Sequence, residues 1–402
     1  MLDPVNIRKD FPIFINNPDL IYFDNAATTQ KPAVVIKGIS NYYENENANI
    51  HRGIYGLAAS TTQKYELVRQ KVADFIGAES PSNIVYTSGT TAGINLVAAS
   101  FLANRLRKGD EVLISFMEHH ANLIPWQMIC KNRGAKLKVI PINRDGTIRK
   151  DAFKALLTRR TKMVALVHVS NSLGTINPIA EMIEIAHEQN IPVLIDGAQS
   201  VAHFEIDVKK WDADFFVFSG HKVFGPTGIG ILYGKTAHLS EMAPVNYGGD
   251  IIKDVTFEKT MFLDPPQRFE AGTTNIAGVI GLGYAIDYLN NFNKKEIRKY
   301  LKNLRTYAIN KLLNINGLRI IGSLDNSTSI ISFVLEGIHP HDVATILGVE
   351  KIAVRAGHHC TQPVMDFLEL PGTTRASFTI YNTPFEVDRM VDALKGIQQF
   401  FK

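Results

Sequence analysis

The 402-residue chain contains only two cysteines, Cys130 and Cys360, and they are far apart. This spacing excludes a disulfide framework and predicts free thiols. No apolar run approaches the roughly 18 residues that a membrane-spanning helix needs, so we predict no membrane partner. The N-terminal residues lack the basic-then-apolar pattern of a signal peptide, and we therefore expect a cytoplasmic location.

The chain also lacks a strong excess of charge of either sign. Its formal net charge is +4, and it has no block rich in Lys and Arg, which argues against a nucleic-acid partner. The hydrophobic content of 45% and charged content of 20% are ordinary for a soluble globular protein. The length predicts one large domain plus a smaller one.

The order of apolar runs predicts an α/β fold. Buried-type strands at 83–86, 111–114, 191–195 and 214–218 alternate with helical patterns such as 60–75 and 179–189, which indicates a mostly parallel sheet of the seven-stranded type. A long helical pattern over 279–313 leads to an α+β portion with a strand at 329–335 and helices at 342–347 and 385–401. We predict a large domain at 21–290, a small domain at 291–402 that carries Cys360, and an N-terminal segment at 1–20 that packs with the small domain.

One lysine is predicted to lie in a turn between two buried strands. Lys222 follows the run 214–218 and precedes a second apolar run at 228–233. A lysine removed from water loses its proton more readily and can form a Schiff base with an aldehyde. Asp196 follows the strand 191–195, and strand ends of an α/β sheet face one crevice. A surface lysine and a helix-capping aspartate are the ordinary alternatives, but the pair, with Gln199 nearby, indicates pyridoxal phosphate.

Two further features lie at the same predicted edge of the sheet. The small polar turn 87–91 precedes a helix and could bind a phosphate, although ordinary helix capping is an alternative. His119 follows the strand 111–114, and we expect its ring to stack on the pyridine face of the cofactor. A core histidine is another possibility. Because adjacent side chains diverge, His119 and His120 would chelate a metal poorly, and we predict no metal site.

The C-terminal portion contains a second reactive centre. Cys360 lies in a loop with Arg355 and two histidines, and cationic neighbours lower the pKa of a thiol. A zinc site is the weaker alternative, since a second cysteine at the usual spacing is missing and Cys130 lies in an apolar helical pattern. Arg375, at the predicted start of a strand, suits a substrate carboxylate, with a surface ion pair as the alternative.

Six motifs together carry a resemblance to a known family. They are Thr-Ser-Gly-Thr-Thr at 87–91, Glu-His-His-Ala-Asn at 118–122, Asp-Gly-Ala-Gln at 196–199, Ser-Gly-His-Lys at 219–222, Arg-Phe-Glu-Ala-Gly-Thr at 268–273 and Arg-Ala-Gly-His-His-Cys at 355–360. Over nearly its whole length the chain resembles the cysteine desulfurases of the class V aminotransferase type, specifically the SufS-like group. The resemblance implies a fold type I pyridoxal-phosphate-dependent transferase and a homodimer with its active sites at the subunit interface.

The resemblance also implies a role for each matching residue. Lys222 would form the Schiff base, Cys360 would accept the sulfur, and His119 would stack on the cofactor. The remaining implied cofactor ligands are Thr90, Thr91, Asp196, Gln199, Ser219, His221 and, from the other subunit, Thr274. The implied substrate ligands are Asn171, Arg355, Arg375 and His51. Some SufS-like relatives have arginine and glutamate where this chain has Ser88 and Ala92, which puts one interface contact in doubt.

The implied reaction converts L-cysteine to L-alanine and leaves a persulfide on Cys360. The implied partners are a sulfur-acceptor protein of the SufE or SufU type and the Suf scaffold for iron–sulfur cluster assembly. A selenocysteine lyase would perform the same chemistry on L-selenocysteine. A transaminase or epimerase of the same fold would not need Cys360, and a binding protein without cofactor would not need Lys222 with Asp196.

Overall fold

A computed structural model describes residues 2–400, with side chains as far as residue 397. The helices are α1 (Pro4–Ile7), α2 (Pro12–Asn16), α3 (Ala33–Asn41), α4 (Gly56–Ile76), α5 (Thr90–Leu96), α6 (Ile124–Arg133), α7 (Lys150–Leu156), α8 (Ile179–His187), α9 (Thr236–Glu241), α10 (Ile276–Asn290), α11 (Lys294–Leu312), α12 (Pro340–Val349), α13 (Gln362–Phe367) and α14 (Pro384–Phe400). The last residue of the predicted helix 385–401 lies outside the described residues.

The strands fall into four sheets. They are β1 (Ile21–Tyr22), β2 (Ile84–Thr87), β3 (Glu111–Ser115), β4 (Lys136–Ile140), β5 (Thr161–Val167), β6 (Val193–Asp196), β7 (Phe215–Ser219), β8 (Gly230–Gly234), β9 (Ile252–Val255), β10 (Thr260–Phe262), β11 (Leu318–Ile321), β12 (Ile330–Leu335), β13 (Ile352–Ala353), β14 (Arg355–Gly357) and β15 (Thr373–Ser377).

The central sheet has seven strands in the order β2-β8-β7-β6-β5-β3-β4. Six of these strands run in one direction and β8 runs in the opposite direction, so the prediction of a mostly parallel α/β sheet is confirmed. The surroundings of β7 explain why its residues 215–218 are all apolar. Phe216 and Phe218 pack into one buried cluster, whereas Phe215 and Val217 pack into another on the opposite face. Both faces of the sheet are therefore covered, as parallel sheets require.

The C-terminal part forms an antiparallel sheet in the order β11-β12-β15-β14. The prediction of one continuous helix over 279–313 is wrong, because residues 291–293 are not helical and separate α10 from α11. Asn293 caps the second helix by accepting hydrogen bonds from the amides of Lys295 at 2.9 Å and Glu296 at 3.3 Å. Among residues 2–400, no helix combines the length and apolar character needed to cross a bilayer.

The register of the central sheet places the site. Val167 at the end of β5 pairs with Asp196 at the end of β6, and Ser219 at the end of β7 pairs with Gly230 of β8. Gly230 in turn pairs with Thr87, at the end of β2. The chain segments that follow these strands consequently meet at one edge of the sheet.

A charge cluster joins α8 to the opposite end of β7. The buried carboxylate of Asp214 accepts from His187 Nε2 at 2.7 Å and from His238 Nε2 at 2.9 Å, and it pairs with Lys235 at 3.0 Å. Burial opposes ionisation, but the hydrogen bonds from both histidines outweigh it and hold the pKa of Asp214 below its ordinary value. The hydrogen bond to Asp214 raises the pKa of His187.

We predict that His187→Gln lowers the free energy of unfolding at pH 6 by about 1 kcal/mol, and by less at pH 9. A raised histidine pKa stabilises the fold fully below the unfolded value of about 6.5, and this contribution is lost as pH rises through the folded pKa. Urea unfolding at both pH values measures the difference. The exposed His341 provides a matched control, since His341→Gln should change stability little at either pH. Equal losses at pH 6 and pH 9 for His187→Gln would contradict the linkage.

Candidate active site

A cavity of about 250 Å³ opens at the edge of the sheet where β5, β6 and β7 end. It brings together twelve of the predicted site residues: Thr90, Thr91, His119, Asn171, Asp196, Gln199, Ser219, His221, Lys222, Arg355, Cys360 and Arg375. Two predicted residues, His51 and Thr274, lie elsewhere. The cavity therefore combines a lysine, a carboxylate, a thiol and two arginines from distant parts of the sequence.

The charges of Lys222 and Asp196 interact inside the cavity, and each affects the pKa of the other. Lys222 lies in a turn of 3₁₀ helix, Gly220–Lys222, between β7 and β8. Burial lowers the pKa of Lys222 to about 8, although the charge of Asp196 opposes this change. Burial also raises the pKa of Asp196, whose Oδ1 accepts a hydrogen bond from the Ala198 amide at 2.9 Å. Near pH 8 the Lys222 amine is thus partly in its neutral, nucleophilic form.

His119 presents an uncharged ring to the cavity. Its Nδ1 accepts a hydrogen bond from the Ala121 amide at 3.0 Å, which assigns the ring proton to Nε2. Burial, followed by the nearby charge of Lys222, lowers the pKa of His119 to about 3. His120 instead holds the loop of Cys360, because its main-chain amide donates to the Cys360 carbonyl at 2.8 Å. The two adjacent histidines therefore act separately.

The small polar turn between β2 and α5 contacts the end of β7. Ser219 Oγ lies 2.9 Å from the Thr90 amide and 2.8 Å from Thr90 Oγ1. Close backbone packing makes room for this contact, since a Cβ on Gly230 would come within 2.4 Å of the Gly89 Cα. The hydroxyls and amides of this turn are the donors that a phosphate would need.

The set of side chains fits pyridoxal phosphate. Its aldehyde requires a lysine, its ring nitrogen a carboxylate, and its phosphate a group of neutral donors, and the cavity has all three. Gln199 is available to the phenolic oxygen, although its Nε2 already donates one hydrogen bond to the Ala26 carbonyl at 2.6 Å. Burial lowers the pKa of His221 to about 4, which leaves its ring uncharged beside Lys222.

Arg375 lies at the middle of β15 rather than at a strand start, so that detail of the prediction is wrong. Its Nη1 donates to the Asn171 carbonyl at 2.8 Å, while its Nε is buried and has no hydrogen-bond partner among the side chains and backbone of residues 2–397. Asn171 Oδ1 is also buried without a partner in the described part of the chain, and Asn171 Nδ2 donates to the His359 carbonyl at 2.6 Å. These unsatisfied polar atoms beside the cavity favour a polar ligand there.

The loop that carries Cys360 has an unusual backbone. His359 and Cys360 both have left-handed conformations, with φ of 53° and 57°. Such residues cost about 1–3 kcal/mol each unless surrounding contacts hold them. The holding contacts are the hydrogen bonds from Asn171 and His120 to their carbonyls and the bond between His359 Nε2 and Thr373 Oγ1 at 2.8 Å.

The two cysteines are in opposite environments. Cys360 is exposed, whereas Cys130 is buried in α6, and burial raises the pKa of Cys130 to about 11. The prediction that Cys130 packs inside a helix is confirmed. Burial lowers the pKa of His359 to about 3, so the cations near Cys360 are the two arginines and Lys222 rather than this histidine.

His51 and Thr274 lie together around Tyr65, outside the cavity of their own chain. Thr274 Oγ1 is 3.0 Å from the Tyr65 hydroxyl, and the His51 ring contacts the Tyr65 ring edge-on at 5.8 Å. Beneath them, Arg69 and Glu270 form a buried ion pair at 2.7 Å. The single chain thus does not bring these two predicted residues to the site.

The segment from Asp24 to Lys31, here called the strap, is the part of the site that sequence analysis missed. Ala26 and Ala27 line the cavity. The Thr29 hydroxyl and the Lys31 amine both donate to the His221 carbonyl, at 3.1 and 3.0 Å. The sequence contained one clue, a run of small polar residues directly after β1, but nothing in it indicated contacts with residues some 190 positions away.

Comparison with known proteins places the chain among enzymes of one kind. The profile of the family "Aminotransferase class-V" matches residues 21–390. A cysteine desulfurase of Synechococcus elongatus is 48% identical over 98% of this chain, and this chain spans 63% of that relative's length. A probable cysteine desulfurase of Halalkalibacterium halodurans is 46% identical, with 98% of each chain covered. A cysteine desulfurase from Thermococcus onnurineus, solved as an apo structure, is 38% identical in sequence. The match covers 100% of this chain and 99% of that chain, and the two structures superpose with a TM-score of 0.95.

We predict that Asp196→Asn lowers the pKa of Lys222 below its wild-type value of about 8, because the charge that opposes desolvation is removed. The pH midpoint of Lys222 acetylation in the cofactor-free protein, followed by mass spectrometry, measures this pKa. Asp19→Asn removes an exposed carboxylate that pairs with Lys351, and it should leave the midpoint unchanged. An unchanged or higher midpoint in Asp196→Asn would show that the two groups do not interact.

Proposed function

The chain belongs to the class V aminotransferase family, and on this basis we propose that it is a pyridoxal-phosphate-dependent cysteine desulfurase. The observation that carries the proposal is a single cavity that holds both a half-buried lysine with a nearby carboxylate, Lys222 and Asp196, and an exposed thiol, Cys360. A transaminase or epimerase has no use for the thiol. The relatives are named for cysteine, so a selenocysteine lyase is not favoured.

Several residues would hold the cofactor. Lys222 would bind its aldehyde, Asp196 its ring nitrogen and Gln199 its phenolic oxygen. The residues proposed for its phosphate are Thr90, Thr91, Ser219 and His221. When bound, pyridoxal phosphate withdraws electrons from the Cα of an amino acid and so weakens the Cα–H bond.

The chain's own residues then perform the proton and sulfur transfers. Arg375, with Asn171 and Arg355 beside it, would bind the substrate carboxylate. The Lys222 amine would accept the Cα proton, since its lowered pKa leaves it partly neutral. The Cys360 sulfur would attack the substrate sulfur as the Cβ–S bond breaks. The balance is L-cysteine plus the Cys360 thiol giving L-alanine plus a Cys360 persulfide, a reversible cysteine state.

We infer that the persulfide passes to an acceptor protein of the SufE or SufU type and from there to the Suf scaffold for iron–sulfur cluster assembly in the cytoplasm. The exposure of Cys360 supports such a transfer. The loop is held from within by Asn171 and His120, which leaves the thiol side available to a partner.

A homodimer would explain the position of His51 and Thr274. Exposed apolar side chains follow His51 closely in the sequence: Ile54, Tyr55 and Leu57. An ion pair between Arg52 and Asp250 at 3.2 Å joins this segment to the region of the hairpin β9–β10. That region also has exposed apolar residues, namely Tyr247, Val255 and Phe257. Burying such a patch against a second copy would place Thr274 at the partner's cavity.

Cys360→Ala separates cofactor chemistry from sulfur transfer. The variant should bind pyridoxal phosphate with wild-type absorbance, because the cofactor residues are unchanged, yet its release of alanine from L-cysteine should fall at least about 100-fold. Labelled sulfur from L-cysteine should attach to the wild type, be released by a thiol reductant, and not attach to the variant. The control Cys130→Ala should retain labelling. Label on Cys360→Ala would show that another residue accepts the sulfur.

Complementation tests the proposed contribution of Thr274 across subunits. Lys222→Ala lacks the essential amine, while Thr274→Ala should bind the cofactor about 10-fold more weakly through loss of one phosphate contact. In a mixed dimer, the site with Lys222 would receive Thr274 from the other subunit. At limiting cofactor, activity of the mixture should therefore exceed the mean of the two parents. Activity equal to that mean would place Thr274 outside the partner's site.

A further inference from the structure

The two arginines of the cavity share one carboxylate, that of Asp24 in the strap. Arg375 Nη2 donates to Asp24 Oδ1 at 3.0 Å, and Arg355 Nε is 3.2 Å from each Asp24 oxygen. The Arg375 side chain is 2% exposed, that of Asp24 17% and that of Arg355 48%. The carboxylate therefore lies between a fully buried cation and one that reaches solvent.

The position of Asp24 is fixed by the strand that carries Arg375. Asp24 forms an isolated parallel bridge with Ser377 of β15, and the Ser377 amide donates to the Phe23 carbonyl at 2.7 Å. The Ala26 amide, two residues later, donates to Ser377 Oγ at 2.9 Å. The backbone on both sides of Asp24 is thus anchored beside the strand that carries Arg375.

The cavity has two arginines, one more cation than is needed to bind the single carboxylate of an amino acid such as cysteine. A substrate bound through Arg375 supplies one negative charge, and the unpartnered Arg375 Nε is a donor that it could use. Without Asp24, Arg355 would be a second, unneutralised cation beside the cavity, and it would attract a second anionic group on the substrate side chain. In the structure this cation is already paired with Asp24.

We propose that Asp24 is a specificity-determining residue, which neutralises Arg355 and thereby excludes amino acids with a second carboxylate. This inference rests on the proposed function, since it takes Arg375 as the substrate-carboxylate site. An amino acid with an uncharged side chain, such as cysteine or alanine, leaves the ion pair intact. A dicarboxylate amino acid has to compete with Asp24 for Arg355 and also meets its negative charge, and such repulsion against the wrong ligand is an effective source of specificity.

The test uses L-alanine and L-aspartate, which differ by one carboxylate. Their dissociation constants for the holoenzyme are measured by calorimetry and by the change in cofactor absorbance. The wild type should bind L-alanine more tightly. In Asp24→Asn the affinity for L-aspartate relative to L-alanine should rise about 10-fold, as expected for one new charged hydrogen bond. The double variant Asp24→Asn/Arg355→Ala should lose this gain, since the spare cation is gone.

Control variants separate the effect of the Asp24 charge from an effect of the substitution on folding. Asp24→Glu keeps the charge and should keep the wild-type ratio, and Asp19→Asn, at the exposed pair with Lys351, should also keep it. Asp24→Ser provides a second neutral variant if Asp24→Asn fails to retain the cofactor. Equal changes for both ligands, or a gain that survives removal of Arg355, would overturn the proposal. Turnover of L-cysteine by the wild type is measured in parallel, so that failure of the desulfurase assignment is recognised separately.

Discussion

Desolvation of one amine is the constraint on which the site depends. The proposed function needs Lys222 as a nucleophile, and Lys222 lies at the edge of a sheet buried on both faces, where its charged form is disfavoured. An isolated buried cation would destabilise the fold, and Asp196 limits that cost from the neighbouring strand. The parallel register that brings these two residues together is therefore a requirement of the proposed chemistry as much as of the fold.

Much of this arrangement follows from the sequence because it is local. A strand that must be apolar on both faces, followed by a polar residue at its end, predicts where Asp196 and Lys222 lie. The break between α10 and α11 was missed because only the three residues 291–293, ending in the capping Asn293, interrupt an otherwise continuous helical pattern. The location of Arg375 in the middle of β15 was missed because strand bounds depend on pairing with β12 and β14.

Contacts between distant segments were beyond the reach of the sequence. The strap contacts the turn of Lys222 and the strand of Arg375, yet most of its residues are small and its sequence pattern is typical of an ordinary turn. Likewise, the left-handed pair His359 and Cys360 could not be predicted from residue type, since neither is a glycine. Conversely, sequence resemblance suggested roles for His51 and Thr274 that the single chain alone does not explain.

The contrast between the two cysteines has a practical consequence. Cys130 is buried and its thiol pKa is about 11, whereas Cys360 is exposed on a rigidly held loop. A maleimide dye added at neutral pH should consequently attach at one place only, without any cysteine having to be removed. The unmodified chain thus offers a single position for a fluorescent reporter, directly at the cavity, from which encounters with other proteins can be followed.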